Sequence, residues 1–269
     1  MAEERVSGLA VILKVTPLRE SDLCLELFSE QVGRARVVAR GALKSQRRYM
    51  GALELGALIK VDYRPKLNGL ATLGPCDVVS SPWRARADLQ RLATLYYALE
   101  LTLRCAPLDD PDPALFESLV ALLEQLEGPQ PPSALELIAW ELALLDHLGY
   151  ELRIDRCPFT GLAPNALSFK EGGALHTSAQ RPCSPVPTEA LRLLYRLRQR
   201  RRQGRDALEL SATAEELHAL RLAFGRLWSE LTHHPIKSHA FLLEVSVSAK
   251  GDAPVISPPS PSTDKGRLA

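Results

Sequence analysis

Gly33-Arg-Ala-Arg-Val-Val-Ala-Arg-Gly-Ala-Leu-Lys-Ser-Gln-Arg-Arg-Tyr49 begins with the alternation of a half-buried strand. Ala35, Val37 and Ala39 fall on one face, and Arg34, Arg36, Val38 and Arg40 on the other, the period of two that a pleated backbone imposes. After Gly41 the alternation gives way to a loop carrying Lys44, Arg47, Arg48 and Tyr49. Guanidinium groups on an exposed face neutralise phosphates and a tyrosine stacks on an unpaired base, so the stretch suits a polyanion. The competing reading is an edge strand whose charges keep other strands away.

Outward from this strand, residues 6–80 read as β. Residues 9–15 form a first strand closed by Thr16-Pro17, and residues 23–28 a second, turned by Glu30-Gln-Val-Gly33 into the basic strand. Residues 56–63 are a fourth, with Leu58, Lys60 and Asp62 alternating against Ile59, Val61 and Tyr63. Pro65-Lys-Leu-Asn-Gly69 is a hairpin turn, and residues 70–79 read as one last strand. Five short strands with an irregular segment between the third and fourth fit an OB-type β-barrel. An SH3-like barrel is the alternative that strand counting leaves open. Lys60 and Arg64 extend the basic surface.

At Ser80-Ser-Pro82 the period changes. Leu89, Leu92, Ala93, Tyr96, Leu99 and Leu103 trace an apolar helical stripe, residues 107–113 a turn, and residues 115–126 a second helix. Ser133 and Glu136 form a capping box that starts a helix over 134–148, with Leu135, Ile138, Leu142 and Leu145 on its apolar side. Residues 150–188 are a loop-rich insertion. Thr188 caps a helix through Leu197, and helices over 214–232 and 235–245 follow. Arg192, Arg196, Arg200 and Arg201 crowd the end of the first of these. They complement its dipole or solvate its face, or else form an auxiliary contact for phosphate or an acidic peptide. The chain is therefore expected to be α+β: a barrel domain over 1–81, an all-helical domain over 82–245 with the insertion at 150–188, and a disordered Pro/Ser-rich tail over 246–269.

The totals narrow the function. Lys and Arg number 33 against 32 Asp and Glu, a net charge of +1, so any affinity for a polyanion must be local. No acid interrupts the run from Gly33 to Tyr49. The acidic start Met1-Ala-Glu-Glu does not read as a signal peptide, and the apolar runs read as too short and too broken by charge to span a bilayer. Five scattered cysteines read as reduced thiols in a cytoplasm.

Phosphate-loop, nucleophile-elbow, zincin and dinucleotide signatures are all missing, and His147 and the pair His233-His234 stand without catalytic company. No enzyme and no cofactor is expected. A zinc ribbon needs two knuckles with two soft ligands each. Here Cys157 is followed by Thr160, and His176 by Ala179, and Cys183 could make a third ligand only by distorting the second knuckle, so no metal is expected.

This order, a barrel with a basic third strand and then helices interrupted by a degenerate zinc-ribbon-like loop, resembles the RecO family of bacterial recombination mediators. The likeness rests on four segments: Ala10-Val-Ile-Leu with Glu20-Ser-Asp-Leu-Cys-Leu-Glu-Leu-Phe-Ser; Gly33-Arg-Ala-Arg-Val-Val-Ala-Arg-Gly-Ala; Trp140-Glu-Leu-Ala-Leu-Leu-Asp-His-Leu-Gly-Tyr150 before Cys157; and Pro235-Ile-Lys-Ser-His-Ala-Phe241. Thr160, His176 and Ala179 depart from the zinc-binding members and place the chain with a metal-free branch.

The resemblance implies a non-enzymatic DNA repair factor of the cytoplasm and nucleoid. Such a factor binds single- and double-stranded DNA, anneals strands coated by single-strand-binding protein, and works with RecR to load RecA. Arg34, Arg36, Arg40, Lys44, Arg47, Arg48 and Tyr49, extended by Lys60 and Arg64, would carry the DNA. The acidic C-terminal tail of single-strand-binding protein would dock on the helical domain, from Arg192–Arg205 or the loop before it. An RNA-binding OB protein and a non-catalytic helical adaptor are the rival readings.

Overall fold

The computed structural model describes residues 6–44, 49, 52–64, 70–204 and 210–248, with backbone alone at Arg64, Val247 and Ser248. Among these residues the first sheet has strands β1 (Val6–Pro17), β2 (Leu23–Ser29), β3 (Gly33–Ala39), β4 (Leu58–Arg64), β5 (Ala71–Leu73) and β6 (Asp77–Ser80). The pairing order is β1-β2-β3-β5-β4, and β4 pairs again with β1, so the sheet rolls on itself. β5 is the weak seam, with two residue pairs to β3, parallel, and two to β4. The result is a thin-seamed, partly open roll of OB type, with β6 added on the other edge of β4.

The single strand expected over 70–79 is thus two. The Gly74 N–H donates to the Asp62 carbonyl at 2.8 Å, and Pro75 has no N–H with which to continue the ladder. The expected turn at 65–69 lies outside the described residues.

Alternation builds two cores from one set of strands. Ala10, Ile12, Leu25, Leu27, Val37, Ile59 and Val61 point inward and fill the roll. Val11, Leu13, Phe28 and Leu58 point outward and belong to the core of the helices, where the Phe28 and Phe116 rings meet edge to face at 5.9 Å. β1 and β2 are therefore buried on both faces where the helices cover them.

The helices are α1 (Trp83–Ala87), α2 (Leu89–Cys105), α3 (Pro113–Glu127), α4 (Ala134–His147), α5 (Thr188–Arg202), α6 (Ala214–Thr232) and α7 (Lys237–Ser248). Four of the starts have a local cause. Asp88 and Asp112 accept from the N–H groups of Arg91 and Leu115, while α4 and α6 open on capping boxes, Ser133 with Glu136 and Thr213 with Glu216. The Glu100 carboxylate of α2 accepts from the N–H groups of Lys237 and Ser238 and so anchors α7.

Several expectations shift. On α2, Ala93 and Leu99 of the expected stripe are buried, but Leu89 and Tyr96 are 57% and 39% exposed, while Tyr97, Ala98 and Leu101 are buried. The helix is walled in by β1, α3 and α7 on sides that its own stripe does not predict. Thr188 is the first helical residue after Pro187 and makes no cap. α7 runs to Ser248, into the expected tail, whose residues 249–269 lie outside the described set. The insertion folds as β7 (Ala166–Ser168), β8 (Gly173–Leu175) and β9 (Ser184–Pro185), in the order β8-β7-β9.

Candidate nucleic-acid interface

The outer surface of β1, β2 and β3 is laid out in rows by their register. In one row Phe28 lies opposite Arg34; in the next, Lys14 is opposite Glu26 and Glu26 opposite Arg36. Lys14 reaches this surface because the register shifts between Ile12 and Lys14. A bulge there leaves Leu13 packed under the helices and Lys14 exposed, while Val15 returns to the inner core. A strict alternation from Ile12 would turn Lys14 inward.

Arg34 does not serve the expected interface. Its side chain is only 22% exposed and lies 3.6 Å from Glu26, and its Nη1 donates to the Leu103 carbonyl near the C-terminus of α2 at 2.8 Å. Late helical carbonyls lack partners and carry negative partial charge, so a cation satisfies them. The Arg34 backbone is bound as well, with its N–H to Pro107 and its carbonyl to the Asp109 N–H at 2.9 Å. Arg34 fastens the barrel to the helices.

Arg36 points to solvent, 53% exposed, with Glu26 at 3.6 Å. An ion pair that open to water is worth little, so the guanidinium exchanges readily toward a phosphate. Arg40 and Lys44 are exposed just beyond the strand. The turn carrying them is tied to the β1–β2 turn, since the Asp22 carboxylate accepts from the Gly41 N–H at 2.8 Å and the Leu43 N–H donates to the Ser21 carbonyl. The Gly41 hydrogen bond leads in holding the Asp22 carboxyl below its usual range against desolvation; Ser21, Arg19 and Arg40 add to it. Arg19 is exposed at this same end. Lys14 and Arg19 are the residues that sequence reading missed. The single lysine in the apolar run 9–15 was the available signal.

Tyr49 overturns its expected role: it is 4% exposed and packs in the roll's inner core. An aromatic beside an apolar barrel interior gains more from burial than from standing in water. Lys60 is exposed but lies opposite Leu9 and Asp77, on the side of β1 away from β2. Arg47, Arg48 and the Arg64 side chain lie outside the described set.

The second arginine cluster divides. Arg198 is buried and held by the Leu152 carbonyl and Asp146, and Arg201 lies 3.5 Å from the same Asp146, so these two bind α5 to α4. Arg200 is half-buried. Arg192 and Arg196 are exposed and border a cleft beside the insertion, with Arg156 and Tyr195.

Among the described residues no three potential metal ligands gather. The donor set of the insertion does not fit a structural zinc site. Burial opposes ionisation of the Cys157 thiol, but hydrogen bonds from the Thr160 hydroxyl and the N–H groups of His176, Phe159 and Thr160 outweigh it and bring it down to about 7. A hydroxyl stands where a second thiolate would be needed, and the His176 Nδ1 is engaged with Ser178. No described helix is long and apolar enough to cross a membrane.

Comparison with known proteins accounts for both halves of the chain. Residues 1–82 match the family described as Recombination protein O N terminal, and residues 86–240 match Recombination protein O C terminal. The DNA repair protein RecO of Geobacter sulfurreducens is 38% identical over 192 residues, 70% of this chain and 78% of that protein. Its namesake in Geobacter metallireducens is 34% identical over 241 residues, 88% of this chain and 96% of that one. The Myxococcus xanthus protein of the same name is 33% identical over 161 residues, 60% of this chain and 66% of its own length. With a family match over each half and a relative aligned over 88% of its length, this chain belongs to the RecO family.

Proposed function

We propose that this protein is a DNA repair mediator that binds single- and double-stranded DNA through the outer face of β1–β3, and that it anneals complementary strands without making or breaking covalent bonds. The observation that carries the reading is the exposed set Lys14, Arg36, Arg40 and Lys44, with Arg19 in the turn tied to it. Cations on this face neutralise backbone phosphates, which lowers the repulsion between two strands and releases counterions. Contacts to the backbone alone carry no base preference, as a general repair factor requires. Arg47 and Arg48 extend the set by proximity in sequence, while Lys60 adds a cation on another side of the roll.

RecR, RecA and the acidic C-terminal tail of single-strand-binding protein are the partners that RecO membership suggests, with loading of recombinase onto coated gaps at the nucleoid as the setting. The test is annealing of complementary strands precoated with single-strand-binding protein. The wild-type chain accelerates annealing, and Arg36→Ala with Arg40→Ala slows it by about tenfold or more. Equal rates for the two proteins would remove the barrel face from the mechanism. A strong preference for RNA over DNA of the same sequence would favour an RNA-binding role through 2′-hydroxyl contacts.

A further inference from the structure

The segment 151–156 runs beside α5, and between them lies a cleft of about 580 Å³ that opens into a second of about 380 Å³. Ile154, Asp155 and Tyr195 line both, so the two form one groove. Arg192, Tyr195, Arg196, Gln199 and Arg202 occupy a single stripe of α5 by the helical period, and all of them border the groove. Arg156 faces this stripe from the opposite wall.

Arg156 and Arg196 are exposed and form no ion pair with a described residue. The Arg192 pair with Glu189 at 2.7 Å has both side chains more than half exposed, 63% and 64%, and yields easily to a competing anion. Tyr195 is 40% exposed between the two arginines of the stripe.

We infer that this groove is a second binding site for single-stranded nucleic acid, with phosphates on Arg156, Arg192 and Arg196 and a base stacked on Tyr195. The inference rests on the proposed DNA-binding function and adds a second strand to it. Cations repeating along a helix suit an anion that also repeats, and an exposed ring set among them suits a base. The fifteen residues of α5 span about 20 Å, room for a few nucleotides.

The loop after α2 touches both β3 and α4. The Asp110 carbonyl abuts Gly33 of β3, and Asp112 pairs with His147 of α4, beside the Asp146 that holds α5. A chain that holds one strand on its barrel and another in its groove brings complements together by proximity.

The full chain is titrated at low salt with a fluorescent oligothymidylate of about 12 nucleotides, a length within one or two single-strand sites. Wild type takes up two oligonucleotides per chain. Arg156→Glu with Arg196→Glu takes up one, and so does Arg36→Glu with Arg40→Glu. Tyr195→Ala weakens the groove site by about tenfold. All these side chains are exposed, so an unchanged melting temperature certifies the fold. A groove variant that still binds two oligonucleotides overturns the inference and leaves the barrel reading intact. So does a groove variant that loses only a fluorescent Asp-rich peptide, which would make the groove an acidic-peptide site. Failure of the wild type to bind any oligonucleotide overturns both readings together.

Discussion

Arg34 and Arg36 are two residues apart on one face of one strand, yet they do different work. Arg34 Nη1 ends on a helix carbonyl and Arg36 ends in water. Arg34→Ala is therefore expected to cost about 1–3 kcal/mol in urea unfolding, since it strands the Leu103 carbonyl and leaves the half-buried Glu26 with Arg36 alone. Arg36→Ala changes stability by less than about 0.5 kcal/mol, within the range of open surface pairs, and instead weakens DNA binding. DNA titration at equal folded fraction separates the two; the reverse pattern would reassign both residues. Gly33 carries a sharper constraint. Its φ is +75°, and a Cβ there would overlap the Asp110 carbonyl. Gly33→Ala should destabilise by about 2–4 kcal/mol, from backbone strain plus a displaced interdomain loop, measurable by chemical denaturation.

Where α2, α4 and α6 meet, a buried polar cluster replaces part of the apolar packing. Glu141 accepts hydrogen bonds from the Tyr97 hydroxyl and from Trp228 Nε1, the latter at 3.0 Å. Burial pushes its carboxyl up to about 7 from 4.5, against the pull of Tyr97, Arg221 and Trp228. Between those pH values the folded chain keeps a proton that the unfolded chain has released, so the contribution of this group to stability falls as pH rises. Glu141→Gln keeps an acceptor and removes the titration. The stability of wild type relative to this variant should drop by about 2–3 kcal/mol from pH 5 to pH 7.5. His239 packs on Tyr97 and donates to the Arg221 carbonyl, and burial lowers its pKa. Its opposite pH trend is common to both proteins and cancels in the difference. A pH-independent difference would mean that Glu141 is ionised throughout.

At the scale of the molecule, the affinity of the barrel face for DNA should fall steeply between about 50 and 200 mM salt, with a log–log slope of about −3 to −5 for that many phosphates neutralised. Arg36→Ala with Arg40→Ala should shallow the slope by about 2 on every sequence tried. Salt-insensitive binding in a fluorescence titration would exclude a phosphate-based contact. Alternation of Ala35, Val37 and Ala39 against Arg34 and Arg36, the capping box at Ser133, and the change of period after Pro82 are local patterns. Sequence alone was enough for them, because period and capping depend on residues within a turn or two of each other. By itself, then, the sequence determined a rolled sheet followed by helices and a strand with a cationic face. Tertiary structure alone decided that Arg34 belongs to a helix end, that Tyr49 fills the roll, that a bulge delivers Lys14 to the surface, and that Arg156 faces Arg196 across a groove. Each of those outcomes depends on which distant segment covers a given face, and neither the period nor the composition of a strand encodes what will be packed against it.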